Sequence, residues 1–181
     1  TVTRNYDQFA LEQLGGNQVE LVLLDAFAGL AGQVDNILGD PNTGIATSLG
    51  SFFGAWQDVA NDPASLSGRQ LLVAQVGTLA DRFRQTSLRL DALEGNSNDQ
   101  ISTTVAQINS LAQSVARLNK DIEIAQASVS QPPNDLLDTR DKLISQLSEL
   151  VGVSTVPQDN GAVNVFIGTG QPLVIGGTAQ A

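Results

Sequence analysis

The chain has 181 residues, enough to bury a sizeable core, and carries a formal net charge of -10 with a pI near 4.1. That balance argues against nucleic acid and against an anionic membrane surface as partners. Cys and His are both absent, which excludes thiol chemistry, imidazole acid–base chemistry and the usual zinc sites.

Met is absent too, and the chain opens Thr1-Val2-Thr3, so a piece of a longer protein is expected. No stretch approaches the roughly 20 apolar residues of a membrane span, and no basic-then-apolar signal peptide is visible. Aromatic residues make up 4%, which fits long helices packed through small side chains better than a broad enzyme pocket. Up to Leu66 the only cation is Arg4. The other cations lie between Arg69 and Lys142, mixed with acids as on a solvated helix.

Residues 4–38 read as a first helix. Leu23, Phe27, Leu30, Val34 and Ile37 keep a four-three spacing on one face. Gly15-Gly16-Asn17 predicts a soft point or break, since each mid-helix glycine costs about 1 kcal/mol relative to Ala. Gly39-Asp40-Pro41-Asn42 ends the element with turn chemistry. A second helix is expected over 44–60, with Leu49, Phe52, Phe53, Trp56 and Val59 as one bulky face. That face reads as an anchor against a longer helix, with an aromatic ligand platform as the alternative. Asn61 to Ser65 makes the next turn, Ser65 being the N-cap.

The strongest periodic signal follows. Ile101, Ile108, Val115, Ile122 and Val129 recur every seven residues, with Thr104, Leu111, Leu118 and Ala125 three further on. This is an a/d heptad seam, and a helix with one narrow apolar stripe needs partners to cover it. Upstream, Leu72, Val76, Leu79, Phe83, Thr86, Leu90 and Leu93 keep the same spacing. The cluster from Glu94 to Asp99 has turn-like propensity, yet Leu93, Ser97 and Ile101 carry the phase across it. One helix over 66–129, about 95 Å long, is therefore predicted. Its covering faces should come from the first two helices and from the one that follows.

Gln131-Pro132-Pro133 stops this helix, and a fourth is expected over 134–151 with Asn134 as N-cap. Short strands are expected at 153–156, 162–167 and 172–175, with turns at Asp159-Asn160-Gly161 and Gly168-Thr169-Gly170. The fold class is mainly α. An elongated, coiled-coil-like bundle over 1–152 forms a helical rod domain. A small antiparallel β segment over 153–181 begins a β-rich domain.

Candidate chemistry is thin. Asp138 and Asp141 are paired carboxylates at i, i+3, a spacing acid–base catalysts use when a pocket separates their pKa values. With Lys142 four residues beyond Asp138 and Arg140 beside both, helix-surface ion pairing or an inter-helix contact is the simpler reading. Glu94, Asn96, Asn98 and Asp99 offer oxygen ligands for calcium but lack the EF-hand order and its terminal Glu. Gly168-Thr169-Gly170 lacks the Lys and following helix of a phosphate loop. No catalytic residue, cofactor or metal is assigned.

Asn134-Asp135-Leu136-Leu137-Asp138-Thr139-Arg140-Asp141-Lys142-Leu143-Ile144, running on to Val151-Gly152-Val153, resembles the signature of the first hook-associated protein family of bacterial flagella. Asn164 to Val174 is similar to that family's strand–turn–strand. Phe52-Phe53 with Trp56, Arg69-Gln70, Ile108 to Ala112 and Leu118-Asn119 are similar to its earlier landmarks. The resemblance covers essentially the whole chain and, like the phase match, runs through Glu94 to Asp99 without a gap.

It implies a structural protein at the junction of hook and filament. In full length such a protein forms a ring, touches the hook protein and an adjacent hook-associated protein, and has an export chaperone for its C-terminal part. It is exported by the flagellar type III apparatus and lies outside the cell, with no nucleic acid or membrane partner. The signature-helix residues Asn134, Leu136, Leu137, Asp138, Arg140 and Asp141 would serve a structural role or a subunit contact. The seam residues Ile101, Ile108, Leu111, Val115, Leu118 and Ile122 hold the helices. Another flagellin-like axial protein, or a secreted coiled-coil surface protein, is the alternative.

Overall fold

A computed structural model describes residues 8–40, 44–128 and 133–180, with side chains from Leu21 onward. The expected helix start at Arg4, the Pro41-Asn42 turn, Val129 and the Gln131-Pro132 stop lie outside the described residues.

The element order is α1 (Gln8–Gly39), α2 (Ile45–Asn61), α3 (Leu66–Ser128), α4 (Asn134–Ser148), β1 (Val153–Pro157), β2 (Val163–Ile167), β3 (Gln171–Ile175) and β4 (Thr178–Ala179). All four expected helices form, and α1 runs through Gly15-Gly16-Asn17 without a break. Helix propagation outweighs the local glycine cost in so long an element. Helix α3 is continuous for 63 residues, straight through Glu94 to Asp99. There the Ser97 hydroxyl donates to the Leu93 carbonyl at 2.8 Å, one turn back. Asn96, Asn98 and Asp99 lie exposed to solvent, and the helix carries the cost of Gly95, about 1 kcal/mol relative to Ala.

Among the described residues, those within 25–99 form one compact unit, and those from 8 to 24 and from 100 to 180 form another. In the first unit, Gly44 packs so tightly after α1 that a Cβ would lie 2.5 Å from the Asp40 carbonyl and 2.7 Å from that of Leu38. Only glycine fits there. Ser65 caps α3 as expected, its Oγ accepting from the Gly68 N–H at 3.1 Å. The aromatic face of α2 is only partly an anchor. Phe52 and Val59 are half-buried and Ala55 is buried, whereas Phe53 and Trp56 each remain 58% exposed. Phe52 meets Phe53 edge-on at 5.2 Å between ring centroids.

The second unit holds the main core. Ala112, Val115 and Ala116 of α3 and Leu147 of α4 pack with Val163, Val165, Leu173 and Val174 of the sheet. The sheet is an antiparallel meander in the order β1-β2-β3-β4. The expectation was three strands, and β4, two residues long, is the addition. Val163, Val165 and Ile167 alternate along β2 toward the core. A bulge between Val165 and Phe166 shifts the register against β3.

The heptad seam is covered unevenly. Val115 and Ile122 are fully buried, Ile108, Leu111 and Leu118 are half-buried, and Ile101 is 61% exposed. The deepest line on α3 is Ala112, Val115, Ala116, Asn119 and Ile122, rotated by about one residue from the a/d stripe. Among the described residues, the core cluster against it is built by the sheet and α4. Two alanines on that line let the strands approach the helix closely.

Candidate functional site

The signature of α4 is where the elements of the second unit converge. Helix α4 starts one residue earlier than a cap at Asn134 would give. Pro133 holds the cap position, and its carbonyl accepts from the N–H groups of Leu136 and Leu137, both at 3.1 Å. Asn134 is thus the first helical residue, and its side chain is exposed, as is that of Asp138. Leu136 and Leu137 are half-buried.

Of the two readings, a helix-surface ion pair or an inter-helix contact, Arg140 does not fit the surface one. It is only 6% exposed, and its Nη1 donates to the Gly161 carbonyl in the β1–β2 turn at 2.7 Å. Its Nε lies 3.7 Å from Asp141 Oδ1, and the Asp141 side chain is itself largely covered. The guanidinium therefore ties α4 to the hairpin instead of decorating a helix surface. Its planar fork can meet a backbone carbonyl and a carboxylate together.

The turn is built to receive it. Gly161 has φ +82 and donates to the Gln158 carbonyl at 3.0 Å, while Gln158 N–H donates to Ala162 at 2.9 Å. Asn160 folds back with its Oδ1 accepting from Ala162 N–H at 3.1 Å, and its Nδ2 donates to Glu123 of α3 at 3.2 Å. The Gln126 carboxamide of α3 fills the space where a Gly161 side chain would lie. Gln126, Leu137, Arg140, Asp141, Ile144 and the β1–β2 hairpin line an open cleft of about 270 Å³. Its titratable groups are Arg140 and Asp141, already committed to each other.

A second polar joint lies on α3, at a residue the sequence reading placed only among the landmarks. Asn119 is 1% exposed. Its Nδ2 donates to the Val163 carbonyl at 2.8 Å and to the Gly176 carbonyl at 2.7 Å. Its Oδ1 accepts from the Val163 N–H at 3.1 Å. The signal was present: Asn119 falls between Val115 and Ile122 at four-three spacing, a polar residue inside an apolar phase.

The other candidates stay apart. Glu94, Asn96, Asn98 and Asp99 are exposed along α3. Among the described residues no group of three or more Asp or Glu could hold a metal ion. Gly168-Thr169-Gly170 is a hairpin turn, with Gly170 N–H donating to Ile167 at 3.1 Å. One stretch exceeds the sequence reading: Leu21–Gly39 of α1 is long and apolar enough to cross a membrane by length and composition alone.

Comparison with known proteins bears on the whole chain. A family model described as the flagellar hook-associated protein FlgK helical domain matches residues 31–181. Flagellar hook-associated protein 1 of Salmonella typhimurium is 35% identical over 180 residues, 99% of this chain and 32% of the relative. Its Escherichia coli counterpart is 33% identical over 180 residues, 99% of this chain and 33% of the relative. The structure of the flagellar hook junction protein FlgK from Burkholderia pseudomallei superposes with a TM-score of 0.82 at 38% identity. It covers 93% of this chain and 29% of that one. The chain thus spans about a third of the length of the curated relatives it matches. It belongs to the FlgK family of flagellar hook-associated proteins, as that family's helical domain.

Proposed function

We propose that this chain is the helical part of a structural protein joining hook and filament in a bacterial flagellum. The observation that carries the reading is the match of 99% of its length to flagellar hook-associated protein 1 at 33–35% identity. The work is mechanical and not catalytic: helices and sheet hold a fixed shape under torque and offer surfaces to neighbouring subunits. Residues 1–152 serve as the helical part, and residues 153–181 open a β-rich region continued by the rest of the protein.

Several features support this. The polar joints at Arg140 and Asn119 make a stiff connection rather than a pocket. Residues 25–99 leave large apolar side chains in water, among them Phe27, Val73, Phe83 and Leu88. Exposed apolar surface on this scale marks a contact face. In full length, the remaining two thirds of the protein and neighbouring copies in a ring cover it, with hook protein on one side and an adjacent hook-associated protein on the other. On α4, Asn134 and Asp138 face subunits, while Leu137, Arg140 and Asp141 hold the joint; along α3 the seam from Ile101 to Ile122 holds the helices. Export by the flagellar type III apparatus, with a chaperone on the C-terminal part, delivers the protein outside the cell.

Deleting the gene tests the reading. Cells should build hooks, release unassembled filament subunits into the medium and lose swimming, and the full-length gene should restore all three. Normal filaments on the deleted cells would overturn it.

A further inference from the structure

We propose that the Asn119 carboxamide acts as a substitute rung in the β2–β3 ladder, making it the positioning residue that fixes how the sheet sits on α3. The inference concerns the fold itself and holds whatever the protein joins.

Val163 lies opposite Pro157 in the β1–β2 register. The neighbouring bond from Gln158 N–H to Ala162 makes that pair a non-hydrogen-bonded one. The N–H and C=O of Val163 therefore turn away from β1, toward β3. Extending the Val165–Val174 pairing would place Gly176 across from Val163. The rung never closes, because β3 ends at Ile175 and Gly176, at φ +53, begins the turn into β4. Asn119 reaches in from the helix and fills the gap. It satisfies Val163 N–H, Val163 C=O and Gly176 C=O, while Gly176 N–H donates to Asn164 Oδ1 at 2.8 Å. Two carboxamides thus replace every partner of the missing rung.

The residue type is specific to the task. A carboxamide has the donor and acceptor of a peptide group on one short stem. Asp would supply no donor, and Leu would leave three buried backbone groups without partners. Apolar contact between the strands and Ala112, Val115 and Ala116 is non-directional and tolerates sliding. Hydrogen bonds are directional, so the carboxamide selects one setting among those the apolar surface allows. That setting also aims the chain as it leaves β4.

Two measurements on the full-length protein test this. In the unmodified protein, the Val163 amide, bonded to Asn119, should exchange with solvent within about tenfold of the Val165 amide in the adjoining ladder, because both are held in the same buried unit. Exchange about 100-fold faster at Val163, as in an exposed turn, would overturn the proposal. The second measurement is a spin–spin distance between Gln113→Cys on α3 and Thr169→Cys on the β2–β3 turn, with any other cysteine removed. One narrow distance is expected, broadened or shifted by Asn119→Leu and Asn119→Asp, while a pair at Gln107→Cys and Asp121→Cys within α3 stays unchanged. Val165→Ala, which thins the core without touching the carboxamide, should lower the melting midpoint and leave the α3–sheet distance alone. An unchanged narrow distance in both Asn119 variants would overturn the assignment. If those variants fail to fold, the amide rates of the unmodified protein decide alone.

Discussion

Ile101 and Ile122 offer a controlled comparison, because they share a side chain, a helix and a heptad position three repeats apart, and differ in cover. Ile122 is fully buried, so Ile122→Ala removes three carbons from a packed site. At about 0.8 kcal/mol per CH2 the transfer loss is about 2.4 kcal/mol. The cavity left behind adds to it, and the better helix propensity of Ala returns about 0.4 kcal/mol, for a net loss of about 3 kcal/mol. Ile101 keeps 61% of its surface in water. The same change there forfeits about 1 kcal/mol of burial, less the same propensity gain, and should cost only about 0.5 kcal/mol. Urea unfolding of the isolated 181-residue chain, followed by circular dichroism, reads both. Equal costs at the two sites would refute the reasoning, since Ile101 would then have a cover the exposure denies. In the full-length protein the cost at Ile101 should rise toward that at Ile122 if the rest of the molecule lies against this part of α3.

Three further outcomes are expected. Gly95→Ala should stabilise α3 by about 1 kcal/mol, because the position is helical and a Cβ there meets nothing within 4 Å; a lower thermal midpoint and helical signal would mean the backbone turns there. Gly161→Ala should cost about 2 kcal/mol from its positive φ alone. Adding Gln126→Ala should recover only the steric excess, and full recovery in thermal melts would show that the backbone conformation carries no strain. Arg140→Met should cost about 2 kcal/mol by stranding the Gly161 carbonyl, and Arg140→Lys should not rescue it. Full stability of the Lys variant in denaturant titration would show that the guanidinium fork is not needed.

The long helix was legible because its evidence is phase, which adds up over many turns. Leu93, Ser97 and Ile101 held the phase through a polar cluster whose propensity alone says turn, and α3 runs on through it. The hairpin turns were legible for a local reason: Asp159-Asn160-Gly161 and Gly168-Thr169-Gly170 supply the positive-φ glycines their geometry needs. What periodicity could not show is the nature of the cover. A heptad pattern suggests a partner helix, yet the cluster against Ala112, Val115 and Ala116 is largely sheet. Strands need a flatter, closer contact than a helix, which turns the buried line from Leu111 and Leu118 toward the alanines. β4 escaped notice because two residues carry no alternation. The roles of Arg140 and Asn119 were not legible for one shared reason: a polar side chain's partner cannot be read from sequence when it is a backbone group more than twenty residues away.

The two units differ in what holds them. Among described residues 25–99, only Gly44, Ala55 and Thr86 are buried, while Trp56, Phe53, Phe83 and Val73 lie largely in water. The joint of α3, α4 and the sheet instead closes over eight buried apolar residues and two polar ties. Exposed apolar surface on this scale marks a contact face. This chain spans about a third of the length of its curated relatives. The division has a mechanical sense. The apolar side chains of residues 25–99 lie open, whereas the connection from helix to sheet is closed within the chain. Polar ties suit that connection, since apolar contact resists separation but tolerates slip, and only directed bonds resist both.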